Sequence, residues 1–198
     1  IGLNAQFVHK GTDNISADTG AAKAASPFGD VYEADGSIKV RPWDDNRIAN
    51  PLLNRSVDDK YYRTQNFNSS VYGKLTLPFG FTWQTTFNVR YGWRKDYYFD
   101  SDIKPGVVAG GKAKREDYSD YEWSIDNMLK WNRTFAKIHN FDFTFVYTAE
   151  KYQNWKSTGN NEGFQPNGTL SYHAIQSGIT PTVNSNDEMQ TGNGSVSY

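Results

Sequence analysis

At 198 residues, with 21 basic against 22 acidic side chains, the chain is long enough for one sizeable domain and has no charge excess to favour nucleic acid or an anionic membrane surface. It contains no cysteine, which excludes disulfides and thiolate metal sites, and no run approaches the roughly 18 consecutive apolar residues of a transmembrane helix. Aromatic residues nevertheless make up 16% of the chain (13 Tyr, 12 Phe, 6 Trp) against a mean hydropathy of -0.76, which suits a wall with one greasy and one wet face better than a compact core.

Ile1 to Lys10 reads as a strand cut at its start. No signal peptide precedes it and the first residue is not Met, as expected of a processed protein or an internal segment. Residues 11–66 are polar and rich in Gly, Asn, Asp and Ser, the composition of a long loop. Within them Asp35-Gly36 after Glu33 reads as a turn, not as a catalytic carboxylate pair. A strand is predicted over 67–77, where Val71, Gly73, Leu75 and Leu77 alternate with Ser70, Tyr72, Lys74 and Thr76. Leu77-Pro78-Phe79-Gly80 then leaves room only for a tight turn.

The strand predicted over 81–99 has the clearest pattern. Phe81, Trp83, Thr85, Phe87, Val89, Tyr91 and Trp93 alternate with Thr82, Gln84, Thr86, Asn88, Arg90, Gly92 and Arg94. Strict alternation places the two sets on opposite faces, and the run far exceeds the 5–6 residues usual in globular strands. A second long loop is expected over 100–116. The strand at 117–133 sets Tyr121, Trp123, Ile125, Asn127, Leu129 and Trp131 against Glu122, Ser124, Asp126, Met128, Lys130 and Asn132. After a tight turn at Thr134 to Lys137, the strand at 138–155 sets Phe141, Phe143, Phe145, Tyr147 and Ala149 against Asp142, Thr144, Val146, Thr148 and Glu150. Asn127 and Val146 break the pattern. A third long loop is expected over 156–193 and a last part-strand over 194–198.

Short and long connections therefore alternate along the chain. In an up-and-down barrel this collects the short turns at one rim and the long loops at the other, as in outer-membrane proteins with periplasmic turns and extracellular loops. Trp83 and Trp93 lie ten residues apart on one face, as do Tyr121 and Trp131. At about 3.3 Å per residue and a tilt of about 45° they are separated by roughly 23 Å of height, close to the spacing of aromatic girdles in such barrels. The expected fold is all-β: part of a large antiparallel transmembrane β-barrel. Phe81, Trp83, Phe87, Val89, Tyr91, Trp93, Trp123, Ile125, Leu129, Trp131, Phe141, Phe143, Phe145 and Tyr147 are expected to face lipid. Gln84, Asn88, Arg90, Glu122, Asp126 and Asp142 are expected to face the lumen.

No catalytic constellation emerges, so no enzyme activity, metal or cofactor is expected. His9, His139 and His173 stand in separate segments without a ligand-spaced partner. Glu116, Asp117, Asp120 and Glu122 lack the glycine-turned spacing of a calcium loop and read as a solvated loop end. Ser177-Gly178 lacks the flanks of a nucleophile elbow, and triplets such as Asn68-Ser69-Ser70 and Asn167-Gly168-Thr169 are frequent by chance in so Asn- and Ser-rich a chain. Trp43, Tyr61, Tyr62, Phe99, Trp155, Phe164 and Tyr172 lie in or beside the loops. Packing above the barrel mouth is the favoured reading for them over a glycan platform.

Several segments resemble a family. Asn50-Pro51-Leu52, Asn68-Ser69-Ser70-Val71-Tyr72-Gly73-Lys74-Leu75 and Gly80-Phe81-Thr82-Trp83 look like barrel strands of SusC-like TonB-dependent transporters. The hairpin from Leu129 to Asn140, with Trp131-Asn132-Arg133-Thr134-Phe135-Ala136-Lys137, resembles their recurring turn, and Phe28 to Gly36 and Ser185 to Gly192 resemble their loops. The resemblance runs in order over most of the chain. It implies an outer-membrane barrel of roughly 22 strands around a plug. Such proteins import glycans, oligosaccharides or peptides, are driven by TonB, and work with a SusD-like surface lipoprotein in Bacteroidetes-type bacteria. No plug or TonB box matches here, and the six strands or part-strands read above fall short of the about eight of the smallest membrane barrels. The chain is therefore expected to be a portion of a longer polypeptide. A passive porin, a non-transporting barrel such as an adhesin, and a soluble glycan-binding β-protein are the alternatives.

Overall fold

The computed structural model describes residues 1–42, 48–164, 168–191 and 195–197. Seven strands form one antiparallel sheet: β1 (Gly2–Thr12), β2 (Asp59–Thr76), β3 (Phe81–Asp100), β4 (Lys112–Phe135), β5 (His139–Glu162), β6 (Thr182–Thr191) and β7 (Ser195–Ser197). The order is β1-β2-β3-β4-β5-β6, with β7 beside β5 beyond the end of β6. The sheet is open, with β1 at one edge and β6 and β7 at the other.

Strands β2 to β5 are 18, 20, 24 and 24 residues long. Their alternating sequences favour extended backbone, but the length comes from continuous pairing: β3 and β4 stay in register from Phe81–Trp131 to Asp100–Lys112. Three boundaries differ from the sequence expectation. The expected loop 11–66 ends at Asp59, because Tyr61 to Asn66 pair with Tyr97 to Gly92. The expected loop 100–116 ends at Lys112, where β4 begins. The expected loop 156–193 contains the end of β5 and all of β6, which pairs Thr182 with Asn160 through Thr191 with Lys151. Of the part-strand expected over 194–198, the described residues are Ser195–Ser197, which lie against Thr148 to Val146.

From β1 to β6 each odd-numbered residue pairs with an odd-numbered one and each even with an even, as in Leu75–Trp83, Trp83–Leu129 and Leu129–Phe145. One face of the sheet is therefore made of odd-numbered side chains and the other of even-numbered ones.

The two short turns share one end of the sheet. In the first, Phe79 and Gly80 have φ of 66° and 88°. A Cβ at residue 80 would collide with the carbonyl oxygen of Asn132, so glycine is needed for space as well as for φ. In the second, Ala136 and Lys137 are both left-handed, and Ile138 N–H donates to Phe135 O at 3.2 Å. The three longer connections meet at the opposite, distal end. The first contains helices α1 (Thr19–Ala24), capped by Asp18 through Gly20 and Ala21 N–H at 2.9 Å, and α2 (Leu53–Val57). Its Asp35-Gly36 does form a turn, with Gly36 N–H donating to Glu33 O at 3.0 Å. Asn50, 3% exposed, ties it together by donating to Val31 O at 2.9 Å and Lys39 O at 2.8 Å.

Buried apolar side chains also gather distally. Tyr97, Phe99 and Ala113 on the odd-numbered face are covered by Phe164, Tyr172 and Ile175 from the connection between β5 and β6, with Tyr61 at the margin. Tyr61 stacks on Tyr97 at 5.6 Å between ring centroids, and Phe99 meets Phe164 edge-on at 6.0 Å. Of the loop aromatics, Tyr61, Phe99, Phe164 and Tyr172 therefore pack upon one another. Tyr62 and Trp155 lie in strands, and Trp43 is outside the described residues.

Candidate functional site

The functional feature is the contrast between the two faces. On the odd-numbered face a band from Phe81 to Trp93 on β3 continues onto β4 as Tyr121 to Trp131 and onto β5 as Phe143 to Trp155. All fourteen residues expected to meet lipid lie on this face, and all six expected to line a lumen lie on the other. Asn127 and Val146, which break the alternation, sit on the apolar and polar faces respectively, opposite Thr85 and Met128. Leu3, Phe7 and Phe67 extend the apolar band onto β1 and β2. Their alternation with Asn4, Gln6 and Asn68 was the signal that could have added them to the set.

Exposure runs opposite to chemistry. Eight of the fourteen apolar-face residues are exposed and none is buried, with Phe87 at 41%, Tyr147 at 43% and Phe143 at 62%. On the polar face Gln84, Asn88, Glu122 and Asp126 are half-buried, while Arg90 and Asp142 are exposed. Two of these half-buried groups, Asn88 and Asp126, are bonded across strands. Asn88 Nδ2 donates to Ser124 Oγ at 3.1 Å, and Thr148 Oγ1 to Asp126 Oδ1 at 2.7 Å. Arg90 stands 3.7 Å from Asp120 and 4.0 Å from Glu122, loose pairs that contribute little in water.

Aromatic rings mark both ends of the apolar band. Near the short turns Phe81 stacks on Trp131 at 6.0 Å, and Phe135 links Trp131 to Phe141 at 6.1 and 5.7 Å. The Trp131 indole N–H donates to Phe79 O at 3.0 Å, giving the ring one polar anchor and one greasy body. At the other end Tyr91 touches Trp93 at 4.2 Å and Tyr121 at 5.9 Å. Next to the short-turn end, Phe81, Leu129, Trp131, Phe143 and Phe145 line an apolar hollow of ≈ 330 Å³.

Beyond the band the odd-numbered face turns polar, with Arg63, Lys95, Asp117 and Ser157 in one row. Arg63 grips Asp13 with two bonds of 2.6 and 2.8 Å and holds its carboxyl below the usual carboxylate range. On the even-numbered face the distal extension holds two charge clusters. Asp58 accepts from Tyr98 OH at 2.8 Å, Ser101 N–H at 3.1 Å and Lys104 Nζ at 2.6 Å, and Lys104 also reaches Asp100 at 2.7 Å. Burial works to lower the Lys104 pKa, but the bonds to Asp100 and Asp58 outweigh it and raise the pKa above the usual lysine value. Burial likewise works to raise the Glu116 pKa. Lys114 and Lys156, each 3.0 Å away, outweigh it and leave the carboxyl below its ordinary value.

Of the acidic group at 116–122, Asp117 faces away from the other three, and it accepts from Tyr97 OH at 2.7 Å. Among the described residues no three His, Asp or Glu side chains gather as a metal site. Among the described residues no helix is long and apolar enough to cross a membrane, which says nothing of strands. The chain matches no protein-family model and no curated protein.

Proposed function

We propose that this sheet is a segment of a transmembrane β-barrel wall in a bacterial outer membrane, with its odd-numbered face in lipid and its even-numbered face toward the lumen. The observation that carries the reading is the inverted exposure: bare Phe, Leu and Trp on one face, hydrogen-bonded polar groups on the other. Apolar patches beyond a few hundred Å² are rare on soluble monomers. In β3, and in β4 up to Trp131, pairing with a neighbour on each side also satisfies the backbone as hydrocarbon requires. The open edges at β1 and at β6 and β7 would pair with further strands of the same wall.

The transport role rests on the resemblance to SusC-like transporters. In that role the wall belongs to a TonB-dependent importer of glycans, oligosaccharides or peptides working with a SusD-like lipoprotein. A plug and TonB box encoded ahead of Ile1 are expected, and their absence from the gene would favour a passive porin instead.

The cysteine-free chain makes the membrane test direct. Single cysteines at Phe87 and at Asn88 are labelled with a fluorophore in the membrane-inserted protein. Lipid-borne quenchers are expected to act on position 87 and water-soluble quenchers on position 88. Equal quenching at the two neighbours would discard the reading.

A further inference from the structure

One row of the polar face holds a cation without a counter-charge. Thr64, Arg94, Tyr118, Lys156 and Asn186 lie side by side across β2 to β6. The Arg94 guanidinium sits 3.7 Å from the centre of the Tyr118 ring, and Lys156 Nζ lies 4.9 Å from the same ring. Lys156 is paired with Glu116 at 3.0 Å. Arg94, in contrast, has no carboxylate within ion-pair distance among the described residues. Its Nε is buried without a hydrogen-bond partner, and so is the Thr64 hydroxyl opposite it. Both atoms are closed off from solvent, so a ligand over this row meets the outer edge of the Arg94 guanidinium and not its Nε or the Thr64 hydroxyl.

A hollow of ≈ 550 Å³ opens over this row. Tyr62, Trp93, Tyr118 and Tyr152 are its aromatic residues, Asn66 lies beside them, and among the described residues no aliphatic side chain lines it. The nearest acid in the lining, Asp120, is turned to Arg90 at 3.7 Å.

We propose that this hollow is a binding subsite for an acidic saccharide, whose carboxylate meets the Arg94 guanidinium while its ring lies against tyrosine. A planar guanidinium held flat by an aromatic ring presents a fixed fork to a carboxylate. Amides and phenols suit hydroxyl groups, and the lack of aliphatic lining disfavours a peptide with apolar side chains. The subsite rests on the reading of the even-numbered face as luminal, where it would lie at the distal mouth.

Calorimetric titration of the full-length protein in detergent tests it, with trigalacturonate, its methyl ester and a triglutamate peptide as probes. The acid is expected to bind at least about tenfold more tightly than the ester, a difference that Arg94→Gln abolishes and Arg94→Lys partly keeps. Equal binding of acid and ester by the unaltered protein overturns the proposal without any variant needing to fold. Triglutamate binding as tightly as trigalacturonate overturns the saccharide assignment. Fractionation of the same protein separates the two readings. Acid-selective binding by a protein found outside the membrane keeps the subsite and removes the barrel; a membrane protein indifferent to the ester removes the subsite alone.

Discussion

The middle of the sheet and its distal end use the same residue types in opposite ways. Between Phe81 and Trp93, Trp83, Phe87 and Trp93 on the odd-numbered face are exposed and Phe81, Val89 and Tyr91 half-buried. A few residues further along the same strand, Tyr97 and Phe99 on that same face are 7% and 5% exposed beneath Phe164 and Tyr172. One strand, one face and one chemistry thus meet two environments. Where the protein provides its own cover, the rings form a core. Where it does not, the proposed cover is lipid.

The strongest way to sharpen this contrast is to remove a ring from each region. Phe99→Ala is expected to cost about 3–5 kcal/mol, as for other buried phenylalanines, because Phe164 loses its partner. Phe143→Ala, at a 62% exposed site, is expected to cost under about 1 kcal/mol in vesicles, where acyl chains fill the space. Guanidinium titration of the vesicle-inserted protein measures both, and equal costs would erase the distinction. Next in size is a charge placed on each face of the middle region. Phe87→Lys is expected to cost about 2–4 kcal/mol and Asn88→Lys close to nothing by the same titration.

A smaller effect belongs to the distal extension. Because the Glu116 carboxyl has a folded-state pKa below its ordinary 4.5, its contribution is present above that value and is lost as pH falls through the lower folded one. Glu116→Gln should cost about 1–2 kcal/mol at pH 7 and flatten the fall in denaturation midpoint below pH 4.5. A midpoint that falls equally in the variant would place the acid sensitivity elsewhere. The smallest effect is at the other rim. Lys137 holds φ 61° without being glycine, so Lys137→Gly should stabilise the turn by about 0.5 kcal/mol, read as a small rise in the denaturation midpoint.

The sequence was most readable where the two faces differ most. Strands β3 to β5 carry a period of two through the middle, broken only at Asn127 and Val146, because one face is apolar and the other polar. At the distal end both sides meet protein or water, and the contrast fades. Tyr61 and Tyr62 are neighbours on opposite faces, and Lys112 to Glu116 is charged on both, so the strand extensions had no alternation to reveal them. Thr182 to Asn186 is polar but for Val183 and becomes a strand only by pairing with β5. The cationic row was illegible for another reason. Thr64, Arg94, Tyr118 and Lys156 stand on four different strands, far apart in sequence, and only the register sets them side by side.

That shared parity of paired residues makes the wall sensitive to counting. Adding one residue inside β3 ahead of Arg90 would leave its composition almost untouched, yet every side chain beyond the insertion would swap sides, sending Arg90 to the apolar face and Trp93 to the polar one. Two residues added at the same place would restore the sides and only lengthen the ribbon. Tolerance to insertion along these strands should therefore follow an odd–even rule, while the long connections accept any number.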